Sequence, residues 1–171
     1  MNVLFDTHVH LNVSHFEEDR EEVIQRAKEA GVEWMTVIGF DQETIKKAIE
    51  LAEKYEWMYA SVGWHPVDAI DMKEEDLLML RELASHPKVV ALGEMGLDYH
   101  WDKSPKQIQQ EVFRKQIRLA REVKPPIIIH NREATEDILT ILEEEKADEI
   151  GGIMHCYNDS VDYVDRCLDL N

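Results

Sequence analysis

The sequence predicts an α/β fold built on a parallel sheet, and three observations predict it. Six short apolar segments recur along the 171-residue chain, stretches of helical periodicity separate them, and successive segments start 24 to 38 residues apart, close to the ~30 of a βα unit. Taken in order, the segments are Val3 to Phe5, Trp34 to Ile38, Met58 to Val62, Val89 to Leu92, Ile127 to Ile129 and Gly152 to Met154. Each reads as a buried strand, since an uninterrupted apolar run suits a strand covered on both faces.

The clearest helix lies between the fourth and fifth segments. There Ile108, Val112, Phe113, Ile117, Ala120 and Val123 fall at steps of three and four, with one adjacent pair, and so form one core-facing stripe. Ser104, Pro105 and Gln107 read as its start: a capping serine, a proline at the first helical position and a glutamine at the third. Asp41 before QETIKKAIELAEK is a similar cap, and SVDYVDRCLDLN forms a sixth helix-like stretch. Nothing marks a linker, so residues 1–171 are expected to form a single domain. A (β/α)₈ barrel typically takes about 250 residues. The chain is therefore either a shortened barrel with about six of eight units or an open doubly wound sheet, and strand count does not separate these.

Composition narrows the function classes. A hydrophobic fraction of 44% with 7 Gly and 5 Pro excludes disordered, collagen-like and low-complexity chains. No apolar run has the ~18 residues of a membrane span, and Asp6 and His8 interrupt the amino terminus before a signal-peptide core could form, so a cytoplasmic location is expected. Cys156 and Cys167 are too few for a disulfide framework and are expected to be buried thiols, Cys156 facing the core. With 19 Lys+Arg against 36 Asp+Glu, the net charge is −17, and no Lys/Arg cluster offers a basic face for nucleic acid. A bound metal can supply positive charge inside such an acidic shell.

The histidines carry the chemistry. His8 and His10 follow the first strand, His65 the third, while Glu94, His130 and His155 end the fourth, fifth and sixth. All six stand at carboxyl ends of strands, the edge where ligands bind in α/β barrels and open sheets alike. In an extended segment residues two apart project to one side, so both rings of the His8-x-His10 pair can reach one ion. Glu94, His130 and His155 complete an expected ligand set of imidazoles and one carboxylate, suited to zinc, with manganese or magnesium where carboxylate and water dominate. Two oxygens would let Glu94 bridge a pair of ions.

Other residues have competing readings. His65, in Gly63-Trp64-His65-Pro66, is a substrate contact or a hydrogen-bonded loop histidine. Arg132 pairs with an anionic substrate oxygen or lies in a surface salt bridge. For Asp98, Tyr99 and His100, a role at the site competes with loop packing. His86 reads as a helix-end cap and His15 as solvated. No G-x-S-x-G, P-loop or G-x-G-x-x-G motif is present.

DTHVHLN, GWHP, GEMGLDYHW, IIIHNRE and GGIMHCY, in this order, resemble the TatD-type metal-dependent deoxyribonucleases of the amidohydrolase superfamily. The resemblance spans essentially the whole chain. It implies a TIM barrel, one or two divalent metal ions and hydrolysis of DNA phosphodiesters by metal-activated water. Glu94 would be the bridging catalytic residue, with His65 and Arg132 near the substrate phosphate. It also implies two further βα units carrying an acidic E-T-D segment that this chain lacks, and HCYND departs from the family's usual pattern. The expected partner is DNA as substrate, with no membrane, no stable protein partner, and self-association through free sheet edges. Two alternatives stand beside this reading: an amidohydrolase or deaminase acting on a small molecule, and a catalytically inactive metal-binding partial barrel.

Overall fold

The computed structural model describes residues 3–170. Six strands, β1 (Leu4–Val9), β2 (Val32–Gly39), β3 (Met58–Val62), β4 (Val89–Asp98), β5 (Ile127–Arg132) and β6 (Gly152–Met154), pair in parallel in sequential order. The connections carry α1 (Arg20–Glu29), α2 (Gln42–Lys54), α3 (Glu74–Leu83), α4 (Lys106–Val123) and α5 (Thr135–Glu144), and α6 (Val164–Asp169) follows β6. A doubly wound sheet reverses its strand order at a switch point. This one never reverses, and it curls until rings from its two ends, His8 and His155, stack with centroids 3.4 Å apart. The fold is thus a barrel-type parallel βα repeat with six units.

Two apolar layers bind the helices to the outer face of the sheet. Met35 and Val37 pack with Ile24 and Leu51, while Ile127 and Ile129 join Phe113, Ile117 and Ile138 in the larger cluster. On the concave face Ile38, Ala91 and Ile128 form a separate small cluster. Coverage on both faces is why the central strands β2 to β5 read as unbroken apolar runs, whereas β1 and β6, expected to be buried, are half-buried to exposed because each has a neighbour on one side only.

Three strands run at least three residues past the carboxyl ends of their apolar segments. β1 runs on through His8, β4 through Glu94 to Asp98, and β5 through His130 to Arg132. Met95 to Asp98 pair residue by residue with Ile129 to Arg132, so backbone pairing extends the strands where polar side chains mask them in the sequence.

Helix starts divide. Asp41 forms a full capping box, accepting from Thr44 N at 2.8 Å while the Thr44 hydroxyl accepts from Asp41 N at 3.0 Å. Ser104 does not cap α4, whose N-cap position is Pro105. Its buried hydroxyl instead donates to Val67 O at 2.7 Å and accepts from Ile70 N at 3.0 Å, tying the loop before α4 to the short 3-10 helix Pro66–Asp71. Cys156 is exposed rather than buried in the core: β6 stops at Met154, and Cys156 turns away with a φ of 46°.

The inner face is open at one end. Phe5 pairs in register with Trp34 and Ile153 with Ile128, which puts all three on the concave side, yet Phe5, Trp34 and Ile153 are 49%, 43% and 53% exposed. β1 and β6 are the two edges of the sheet. Exposed edges beside an apolar trough favour association between chains. Light scattering is expected to show a mass that rises with concentration, and Phe5→Lys with Ile153→Lys is expected to return it toward the monomer. A concentration-independent monomer for the unsubstituted chain would contradict this. None of the described helices is long and apolar enough to cross a membrane.

Candidate metal centre

The carboxyl ends of the strands meet in one crevice of about 640 Å³, with His10, His65, Glu94, His130, Arg132 and His155 among its walls. Irregularities in the sheet aim the central pair. His8 lies in a register shift between β1 and β2, and Glu94 in one between β4 and β5. Such bulges re-aim side chains that a regular ladder would send elsewhere. Glycine permits the second: at Gly93, with φ of 144°, an added Cβ would stand 2.4 Å from Ile128 O.

Glu94 is the hub. Its Oε2 lies 3.3 Å from His8 Nε2 and 3.8 Å from His10 Nε2, and its Oε1 lies 2.9 Å from His130 Nδ1. His8 and His10 bring their Nε2 atoms within 3.2 Å of each other. Two groups have ligand atoms mutually within 4.8 Å, His8 with Glu94 and His155, and His65 with Glu94 and His130, so the carboxylate of Glu94 is common to both. The five residues expected as ligands therefore converge, His10 through His8, and His65 stands beside them.

Burial and charge set the protonation of this cluster. Burial works against ionised Glu94, but hydrogen bonds with His130 and His8 outweigh it and hold the carboxyl below the usual carboxylate range. Burial lowers the pKa of His10, partly offset by Glu94, and that of His155, aided by His8, which keeps both rings neutral and their lone pairs available. For His130 burial also disfavours the cation, but Glu94 and Asp98 prevail and raise its pKa.

His65 differs from its neighbours. Burial lowers its pKa to about 4, so the ring is neutral at pH 7. The Val67 amide donates to its Nδ1 at 3.2 Å, which leaves the ring proton on Nε2. In that tautomer His65 offers the crevice a hydrogen-bond donor, an arrangement that suits a substrate oxygen better than an ion.

Arg132 is exposed on the crevice wall, and its guanidinium has no ion pair or hydrogen bond among the described residues. The surface salt bridge that competed with a substrate role is thus not made. His86 accepts from Lys88 N at the turn after α3 and lies 3.2 Å from Glu53, and His15 is exposed. Both stand apart from the crevice.

Asp98, left open between site and packing, touches the cluster directly: its Oδ2 lies 2.9 Å from His130 Nε2. A carboxylate behind a ligating imidazole fixes the ring and raises its basicity. Two residues of α4 were missed altogether. Gln109 brackets Asp98, donating to its carbonyl at 2.8 Å and accepting from its amide at 2.8 Å. Gln116 brackets Trp64 in the same way, at 3.1 and 2.8 Å, and so holds the loop that carries His65. The available signal was their position: two polar residues seven apart on the buried face of an otherwise apolar helix.

The residues fit a divalent ion. Tetrahedral bonds of about 2.0–2.1 Å put neighbouring ligand atoms roughly 3.4 Å apart, near the His8–Glu94 and His8–His10 spacings. His10 Nδ1 is buried without a hydrogen-bond partner, and ring nitrogens of His8, His10 and His130 face the one carboxylate of Glu94.

Comparison with known proteins agrees with this geometry. A family profile described as TatD related DNase matches residues 5–171. The chain is 61% identical over 169 residues to an uncharacterized metal-dependent hydrolase, YabD, of Bacillus subtilis, covering 99% of this chain and 66% of that protein. It is 34% identical to the 3'-5' ssDNA/RNA exonuclease TatD of Cronobacter turicensis, covering 96% and 63%. Among solved structures, the TatD homolog YJJV of Escherichia coli K12 superposes with a TM-score of 0.89 at 30% identity, covering 98% of this chain and 65% of that one. A TatD family hydrolase of Entamoeba histolytica gives a TM-score of 0.89 at 25% identity, covering 99% and 63%. The chain spans about two thirds of the length of these relatives.

Proposed function

The chain belongs to the TatD related DNase family, and from that premise we propose that it is a hydrolase domain, residues 1–171, whose metal-dependent site cleaves phosphodiester bonds in DNA. The observation that carries the proposal is Glu94, one buried carboxylate common to two groups of imidazoles. His8, His10, His130 and His155 would hold one or two divalent ions together with Glu94, as zinc, manganese or magnesium. Such an ion makes water nucleophilic near neutral pH and draws charge from a phosphoryl oxygen.

The chain's own groups supply the rest. Asp98 keeps the His130 ring in one orientation through the 2.9 Å contact. Arg132, with an unpaired planar guanidinium at the crevice wall, receives two phosphoryl oxygens at once. His65, neutral at pH 7, donates from Nε2 to one of the same oxygens. Both are poised where negative charge grows as the P–O bond breaks.

Assays of the chain with added manganese or magnesium are expected to show release of nucleotides from single-stranded DNA, with far slower action on a cyclic amide or an aminopurine. A deaminase activity without phosphodiesterase activity would overturn the reading. Metal uptake with no turnover on any substrate would favour the inactive partial barrel.

A further inference from the structure

Trp101 stands on the crevice wall with Arg132 and Glu94, yet 57% of its surface is exposed. It packs in none of the apolar clusters of the described residues, and its one aromatic neighbour is His100, edge-on at 4.9 Å. A large apolar ring left open to water on a loose loop would be unremarkable. This loop is not loose. The Asp98 carboxylate accepts from His100 N at 3.0 Å and from Trp101 N at 3.1 Å, while Gln109 grips the Asp98 backbone from behind. At the other end Ser104 is buried and tied to Val67 and Ile70. The same carboxylate that touches His130 therefore sets the position of the Trp101 backbone from which the indole projects.

The other aromatic ring of the crevice, Phe40, is already engaged, packing edge-on against His10 at 5.4 Å and His65 at 6.4 Å. Of these two rings, Trp101 is the one that offers an exposed face. Building on the phosphodiesterase reading, we propose that Trp101 is a base-stacking platform: its indole receives the nucleobase next to the scissile phosphate while Arg132 holds that phosphate. A base inside a duplex has both faces covered by its neighbours, so the platform selects an unpaired base, at a single-stranded end or a frayed terminus. Stacking on an aromatic ring tolerates any base, because each presents a π face. Stacking also gives a chain of net charge −17 a source of affinity for a strand that does not depend on charge.

The test compares two labelled pentanucleotides, one complete and one with an abasic sugar beside the scissile linkage. Binding is read by anisotropy on hydrolysis-resistant phosphorothioate versions, which keep the negative charge that Arg132 meets, and KM and kcat on the cleavable versions with manganese. The wild-type chain is expected to favour the complete strand by about 10-fold in Kd and KM, in the range known for single base–aromatic stacks. Trp101→Ala is expected to abolish that preference, and Trp101→Phe to keep most of it. Retention of the preference in Trp101→Ala, or its absence in the wild type, would overturn the platform while leaving phosphodiester cleavage standing. Failure of the wild type to bind or cleave either strand would overturn both the platform and the phosphodiesterase reading beneath it.

Discussion

Replacing Glu94 with glutamine is expected to strip the crevice of metal and lower phosphodiester hydrolysis by about 10³-fold, the upper range for removing one charge-stabilising group. The substitution keeps the shape and takes away the charge. A neutral amide leaves the imidazoles of His8, His10 and His130 facing a group that no longer attracts a cation, and one of its two ligand oxygens becomes an NH₂. Because the carboxylate is common to both candidate groups, neither is expected to compensate for the other. Elemental analysis of the purified variant, beside wild type and at matched circular dichroism, gives the result directly. Full metal occupancy with unimpaired turnover would refute the role of Glu94.

Arg132→Ala is expected to separate using the metal from holding it. The guanidinium contacts none of the ligands, so metal content should match wild type while kcat/KM on DNA falls by about 10²-fold. Lysine restores charge without the planar fork, and Arg132→Lys should recover only part of the loss. Metal loss in Arg132→Ala would instead mean that the residue supports the ligand cluster.

Much of this arrangement was legible in the sequence because barrel topology converts order into position. Strand ends spaced by regular βα units must converge, so His8, His10, Glu94, His130 and His155 could be assigned to one crevice before any geometry was known. The fold class followed from the same regularity, while the choice between a curled and a doubly wound sheet did not: it depends on which strands pair, and both arrangements bury the same apolar segments. What the sequence concealed was contact between polar groups of different elements. Asp98 looked like one loop residue among three, and only the pairing of β4 with β5 carries it to His130. Gln109 and Gln116 looked like ordinary members of a helix until the loops they grip were packed against them. Ser104 and Cys156 misled for a related reason. A serine before a helix is usually a cap, and an apolar neighbour at a strand end is usually core, but tertiary hydrogen bonds claimed the first and a turn with positive φ displaced the second.

Whether Glu94 joins its surrounding imidazoles into a metal centre can be seen directly by anomalous diffraction from crystals of the chain grown with zinc or manganese. One or two peaks within about 2.5 Å of the Glu94 carboxylate, with nitrogen neighbours from His8, His10 and His155 on one side and His130 on the other, are the expected result. Crystals that hold the metal only at other sites, or bind none while Glu94 and the histidines keep their hydrogen bonds to one another, would contradict it.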